Sequence, residues 1–150
     1  MKLTTKSRYG LRLMFELAQN YGRGPMTLKE ISKRENISEK YLSLLVIPLR
    51  AKGLIHSHRG ALGGYRLAKP PERITAKDVV ELFEDCLALL ECSRKPASCR
   101  RSKRCPSRDI WKTLGQQIAK TLHSVTLKDM VQKSAARDNG RSTYQERKLK

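Results

Sequence analysis

Residues 27–67, TLKEISKRENISEKYLSLLVIPLRAKGLIHSHRGALGGYRL, decide the fold. Thr27 and Ser38 each stand where a helix begins, with a hydroxyl able to accept a bond from a free backbone N–H. Glu30, three residues after Thr27, completes a capping-box pattern. Leu42, Leu45, Val46 and Leu49 then recur at i, i+3, i+4 and i+7, a stripe that must face a core. Gly53 suits a helix stop, Ile55 to His58 an extended strand, Gly60 to Gly64 a turn, and Tyr65 to Leu67 a returning strand. Helix, turn, helix and basic hairpin make a winged helix-turn-helix, whose second helix enters the major groove of duplex DNA.

Working outward, 150 residues suffice for one domain with a real core, or one domain plus an arm. Hydrophobic residues make up 39% and aromatics only 5%, so the core should be aliphatic. The formal charge of +18 repels itself in a compact chain and calls for an anionic partner. Nucleic acid comes first, through phosphate neutralisation, and an anionic membrane surface second. No apolar run approaches the roughly 20 residues of a membrane span. Leu3 to Ala18 is interrupted by Arg and Lys, unlike a signal peptide. The expectation is a cytoplasmic protein with no membrane association and no small-molecule substrate. In that reducing compartment, the four cysteines point to metal or redox chemistry rather than disulfides.

Ahead of the motif, Ser7 to Tyr21 reads as a core-packing helix with Leu11, Met14, Phe15, Ala18 and Tyr21 on one face. Within the second helix of the motif, Lys40, Leu44, Ile47 and Ala51 face away from the core stripe, flanked by Tyr41 and Ser43. Lys40 suits a phosphate or guanine, and Tyr41 a phosphate oxygen. Ile47 is expected to pack beneath the wing, and Leu44 to meet a thymine methyl. Pro48 removes a helical hydrogen bond and should kink the helix. At the hairpin tip, Arg59 and Gly60 present a guanidinium suited to a narrow minor groove; His56 and His58 are strand residues near the DNA backbone. The expected DNA-contacting set is Ser38, Lys40, Tyr41, Ser43, Leu44, Arg59 and Gly60.

Beyond the wing, Pro70 and Pro71 make a joint, and Thr75 caps a helix with Asp78 at its third position. Pro106 fits the first turn of a long helix. In that helix Ile110, Trp111, Leu114, Ile118 and Leu122 form a stripe that either completes the core or makes a two-fold dimer seam; the seam is preferred. Thr126 caps a last short helix with Leu127, Met130 and Val131. The fold class is thus mainly α, a winged helix-turn-helix with a small β-hairpin wing and a long C-terminal dimerisation helix. Residues 1–69 form the DNA-binding region, 70–133 the cysteine loop and dimerisation helix of the same domain, and 134–150 a basic tail read as disordered.

Cys92, Cys99 and Cys105 are spaced C-x6-C-x5-C, with Cys86 upstream in a helical segment. The spacing matches neither a zinc knuckle nor a usual ferredoxin run. Arg94, Lys95, Arg100, Arg101, Lys103 and Arg104 crowd the thiols and favour thiolates, the metal-binding form. The plainer alternative is a basic linker loop that happens to hold free thiols.

The opening MKLTTKSRYGLRLMFELA, the segment ISEKYLSLLVIPLRAKGLIHSHRGALGGYRLAKPPERIT and the cysteine loop followed by Asp109-Ile110-Trp111 together resemble the Rrf-two (Rrf2) family of bacterial winged-helix repressors, over residues 1 to 133. The resemblance implies a homodimer crossed by the long helix, a recognition helix at Ser38 to Lys52 and a wing at Arg59-Gly60. In cluster-bearing members it implies iron–sulfur ligands at Cys92, Cys99 and Cys105, with 2Fe–2S favoured and 4Fe–4S the alternative. The sequence departs from the pattern in two places. Arg108 stands where some members place a histidine ligand, and Arg8 where others place an acidic one. A permanently protonated guanidinium is no ligand. The fourth position therefore stays open among Cys86, Asp109, Glu84, Asp85, His123 and a small exogenous thiol.

The leading functional expectation is a DNA-binding transcriptional regulator, a repressor by resemblance, whose binding to a double-stranded operator is modulated by an iron–sulfur cluster. The alternative is a clusterless regulator of the cysteine-metabolism type, acting through thiol oxidation or a protein partner. A structural zinc site in a DNA-packaging or RNA-binding protein ranks lower. An enzyme ranks last, because no Ser/His/Asp or Cys/His order, paired carboxylates or phosphate cradle is found.

Overall fold

Hydroxyl caps set where most of the helices begin. The computed structural model describes residues 3–60, 63–84 and 89–148, and the side chains of all of these but 94 and 138–148. Thr4 opens α1 (Thr5–Gln19), accepting from the Ser7 amide. Thr27 opens α2 (Leu28–Glu35) with both halves of the capping box to Glu30 in place. Ser38 opens α3 (Glu39–Ala51) and accepts from the Tyr41 amide. Thr75 forms the same reciprocal box with Asp78 at the head of α4 (Ala76–Phe83). Between α2 and α3, Asn36 takes the left-handed conformation at φ 51°, which its short polar side chain tolerates.

The wing follows as β1 (Ile55–His58) and β2 (Gly64–Leu67), antiparallel with Ile55 opposite Leu67 and His58 opposite Gly64. Its base is tied to the segment before α2, where Met26 and Tyr65 exchange backbone bonds of 2.9 and 2.7 Å. A short helix, α5 (Glu91–Arg94), and two 3₁₀ turns, Pro96–Ser98 and Ser102–Arg104, make up most of the cysteine region. Pro106 starts α6 (Pro106–His123), and Thr126 hydroxyl and amide both bond Asp129 at the head of α7 (Leu127–Lys148).

One aliphatic core joins these pieces. Leu13, Met14 and Leu17 of α1 meet Ile31 of α2, Leu42, Leu45 and Leu49 of α3, Ile55 of β1, Val79 of α4 and Leu127 of α7, all essentially solvent-free. The expected α3 stripe is the buried one, Val46 included. Other expectations need correction. On α1 the buried face is Leu13, Met14, Leu17 and Ala18; Leu11 and Phe15 are half-buried and Tyr21 is exposed. The helix ends at Gln19 with Asn20 as its C-cap, so Tyr21 lies beyond the helical face it would have continued. Pro48 lies inside an α3 that continues to Ala51. The last helix, expected to be short, is α7 from Leu127 to Lys148.

Candidate DNA-reading surface and cysteine loop

Because its cap and core stripe pin α3 on two sides, the opposite face is presented to solvent. Ser38 Oγ accepts from the Tyr41 amide at 3.2 Å, which leaves its own O–H to donate to a phosphate oxygen. Lys40 and Ser43 are exposed, with Ser43 Oγ donating to the Lys40 carbonyl at 2.7 Å. Tyr41 is half-buried and packs edge-on against Tyr9, ring centroids 5.5 Å apart. Leu44 is 58% exposed, as an outward-facing residue should be. Ile47 is 61% exposed and so does not pack beneath the wing. The wing leaves it uncovered because its strands are tied to the core side of the motif, through Leu54, Ile55 and Met26.

The wing is coupled to α3 by Arg50, which reaches Ser57 Oγ on β1 at 3.4 Å. At its tip Arg59 is exposed and Gly60 takes φ 107°, while the Gly63 amide donates to the Gly60 carbonyl at 2.9 Å. A Cβ at Gly63 would stand 2.7 Å from the His58 carbonyl. One at Gly64, at φ 149°, would run into the Met26 backbone, so both glycines are required by the turn. Ala61 and Leu62 lie outside the described residues. His56 is exposed, whereas His58 is half-buried with Nε2 lacking a hydrogen-bond partner among the described residues.

Charge sorts the same way. Among the described residues the ion pairs are Arg12–Glu35, Arg34–Glu16 and Lys77–Glu81. They neutralise cations on α1, α2 and α4, and none involves Lys40, Arg50, Arg59 or Arg66. Glu16 is buried, and that desolvation pushes its carboxyl above the usual range despite Arg34.

The cysteine loop is organised differently. Cys92 lies in α5, Cys99 ends the first 3₁₀ turn, and Cys105 precedes Pro106 at the head of α6; all three are partly exposed. Among the described residues, no three Cys, His, Asp or Glu side chains gather closely enough to hold a metal ion. A cluster would therefore need the loop to rearrange. Arg108 holds its present form, donating from Nε to the Cys92 carbonyl at 3.1 Å and from Nη1 to the Ser102 carbonyl at 3.0 Å. The Ser107 hydroxyl, 3.1 Å from the Cys105 sulfur, and the Arg108 backbone N–H hold the Cys105 thiol below its ordinary range.

The fourth-ligand candidates disperse. Glu84 Oε1 accepts from the Thr4 amide at 2.8 Å and from the Thr4 and Ser7 hydroxyls, latching the end of α4 to the start of α1. Burial would raise its carboxyl, but the bonds from Ser7 and Thr4 outweigh this and hold it low. His123 closes α6, about 27 Å along the helix axis from Cys105 at 1.5 Å per residue. Asp109 is exposed in the first turn of α6. Cys86 and Asp85 lie outside the described residues. Neither the Arg108 brace nor the Glu84 latch had a signal in the sequence, since both span residues brought together only by packing.

Compared with known proteins, residues 3–133 match the Rrf2 family model, described as an iron-dependent transcriptional regulator. The chain belongs to the Rrf2 family. The HTH-type transcriptional regulator CymR of Bacillus subtilis (strain 168) is 40% identical over 130 residues, covering 87% of this chain and 89% of the relative. The solved structure of B. subtilis CymR, the global cysteine regulator, superposes with a TM-score of 0.75 at 39% identity, covering 88% and 97% of the two chains. T. potens IscR superposes equally well, at 0.75 and 36% identity over 89% and 88%. Rrf2 membership makes this chain a winged-helix, DNA-binding transcriptional regulator and not an enzyme, as the sequence led one to expect. No helix among the described residues is long and apolar enough to cross a membrane.

Proposed function

We propose that this Rrf2 regulator binds a two-fold symmetric operator in the cytoplasm as a homodimer, with α3 in the major groove and Arg59 of each wing in the flanking minor groove. The observation that carries this is the face of α3 opposite the core. It is capped, rigidly packed from behind and bordered by Lys40, Arg50 and Arg59, cations that no acidic side chain in the described residues pairs with. Ser38, Lys40, Tyr41 and Ser43 position the helix on phosphates and base edges, Leu44 meets the base surface, and Arg59 on its Gly60 turn serves the wing. Pairing of two chains is supported by α6, where Ile110, Trp111 and Leu114 are 65%, 40% and 44% exposed. Sedimentation and titration onto operator and random duplex test this directly. A monomer with no preference between the two would end the reading, and Leu114→Glu should yield that monomer.

The loop is the input. Three cysteines among cationic side chains, together with the similarity to T. potens IscR, support an iron–sulfur cluster held by Cys92, Cys99 and Cys105, with 2Fe–2S favoured. A bound cluster would supply a centre that oxidation, nitric oxide or iron loss can change. One specific observation favours a clusterless alternative. Among the described residues Cys92, Cys99 and Cys105 are not gathered, and Arg108 ties the loop together through the Cys92 and Ser102 carbonyls. In that form oxidation of a thiol, or a protein partner docked on the loop, provides the signal, in keeping with similarity to CymR. Iron and acid-labile sulfide measured on anaerobically purified protein separate the two. Coloured, iron-bearing protein that loses both in Cys92→Ser supports the cluster; colourless protein supports the thiol reading.

A further inference from the structure

The exposed apolar side chains fall into groups. Ile110, Trp111 and Leu114 belong to α6 and the proposed dimer seam, but Leu44 and Ile47 stand on the outward face of α3, 58% and 61% exposed. Residues three apart on a helix place their Cβ atoms about 5–6 Å from one another, so the two make one small patch. Its surroundings are cationic. Lys40 lies one turn before Leu44, Arg50 one turn after Ile47, and Arg59 comes from the adjoining wing. The polar side chain between them is partly committed, since Ser43 Oγ donates to the Lys40 carbonyl. An apolar spot inside a basic rim fits a polyanion that itself carries small apolar groups. Duplex DNA offers one such group in its major groove, the C5 methyl of thymine.

We infer that Leu44 and Ile47 act as a paired apolar reader of two neighbouring thymine methyl groups in each half-site, and so set operator specificity. The inference rests on α3 being the DNA-reading helix. Successive bases on one strand rise about 3.4 Å and are displaced further by the helical twist, which suits two side chains at this separation. Lys40 and Arg59 anchor the helix and the wing on the duplex, and the apolar pair adds the selectivity for thymine.

The test begins with an operator selected from a random duplex pool by the full-length protein. Each thymine is then replaced in turn by deoxyuridine, which removes only the methyl, and binding is followed by fluorescence anisotropy at fixed salt. Two positions per half-site should each lose about fourfold in affinity, the worth of one small apolar group removed from water. Leu44→Ala should abolish the sensitivity at one of them and Ile47→Ala at the other, with the salt dependence unchanged. Both residues are exposed, so the variants should fold, and circular dichroism with sedimentation confirms that. An operator with no methyl-sensitive thymine overturns the inference, as do variants that keep full methyl sensitivity. Variants that leave operator choice intact but alter assembly state would make the patch a protein–protein surface and equally sink it. Failure of the underlying DNA reading looks different, because then no duplex is enriched over random competitor.

Discussion

The reading motif and the cysteine loop are built by opposite means. In residues 27–51 each helix is specified twice, once by a local signal and once by burial. Thr27 and Ser38 cap helices whose Ile31, Leu42, Leu45 and Leu49 are at or near zero exposure. In residues 89–105 there is one short α-helix and two 3₁₀ turns, no side-chain caps, and Ser102 as the buried residue. That loop is held from outside by the Arg108 guanidinium. A segment with little buried apolar surface opens at low free-energy cost, which suits the input role proposed for the loop and would not suit the motif.

This contrast can be broken most severely at the motif. Leu42→Ala should cost about 3 kcal/mol of global stability, the usual worth of a buried leucine side chain plus its cavity. Urea unfolding measures it, and a loss under about 1 kcal/mol would mean that α3 is not fixed by the core. Ser38→Ala comes next, at about 1 kcal/mol for a lost N-cap. Because the cap also orients the first turn of α3, operator affinity should fall more than affinity for random duplex.

Arg108→Ala tests the other side. Global stability should move by less than about 0.5 kcal/mol, as for a half-buried residue outside the hydrophobic core. Tryptic cleavage at Arg100, Arg101, Lys103 and Arg104 should nonetheless quicken several-fold, as the loop opens locally. A matching fall in the unfolding midpoint would show instead that the loop is part of the cooperative core. The smallest effect belongs to Cys105. Hydrogen bonds to its sulfur favour the thiolate, so its ionisation falls at lower pH than that of an ordinary thiol. Iodoacetamide labelling against pH, in protein with the other cysteines replaced by serine, should show that low midpoint. Ser107→Ala should raise it while leaving stability unchanged.

How much could be read from the sequence follows the same division. The caps, the α3 stripe, the hairpin strands and Pro106 at the head of α6 all lie where the local pattern put them, because each depends on residues within one or two turns of one another. The α1 face was harder: Leu11, Leu13, Met14, Phe15 and Leu17 cover a wide arc, and only packing against α3, α4 and α7 chooses Leu13 and Leu17 over Tyr21. Ile47 was misplaced for a related reason, since nothing in the chain says which side of α3 the wing will cover.

By itself, then, the sequence determined a winged helix-turn-helix carrying a strong positive charge, because capping, periodicity and net charge are local or additive properties. Tertiary structure alone decided that Glu84 closes onto Thr4 and Ser7, that Arg108 threads the cysteine loop, and that Ile47 is left bare beside Arg50 rather than covered by the wing. Those outcomes join residues up to 80 positions apart. No local pattern encodes such pairings; packing selects them by burying one set of side chains and leaving another facing water.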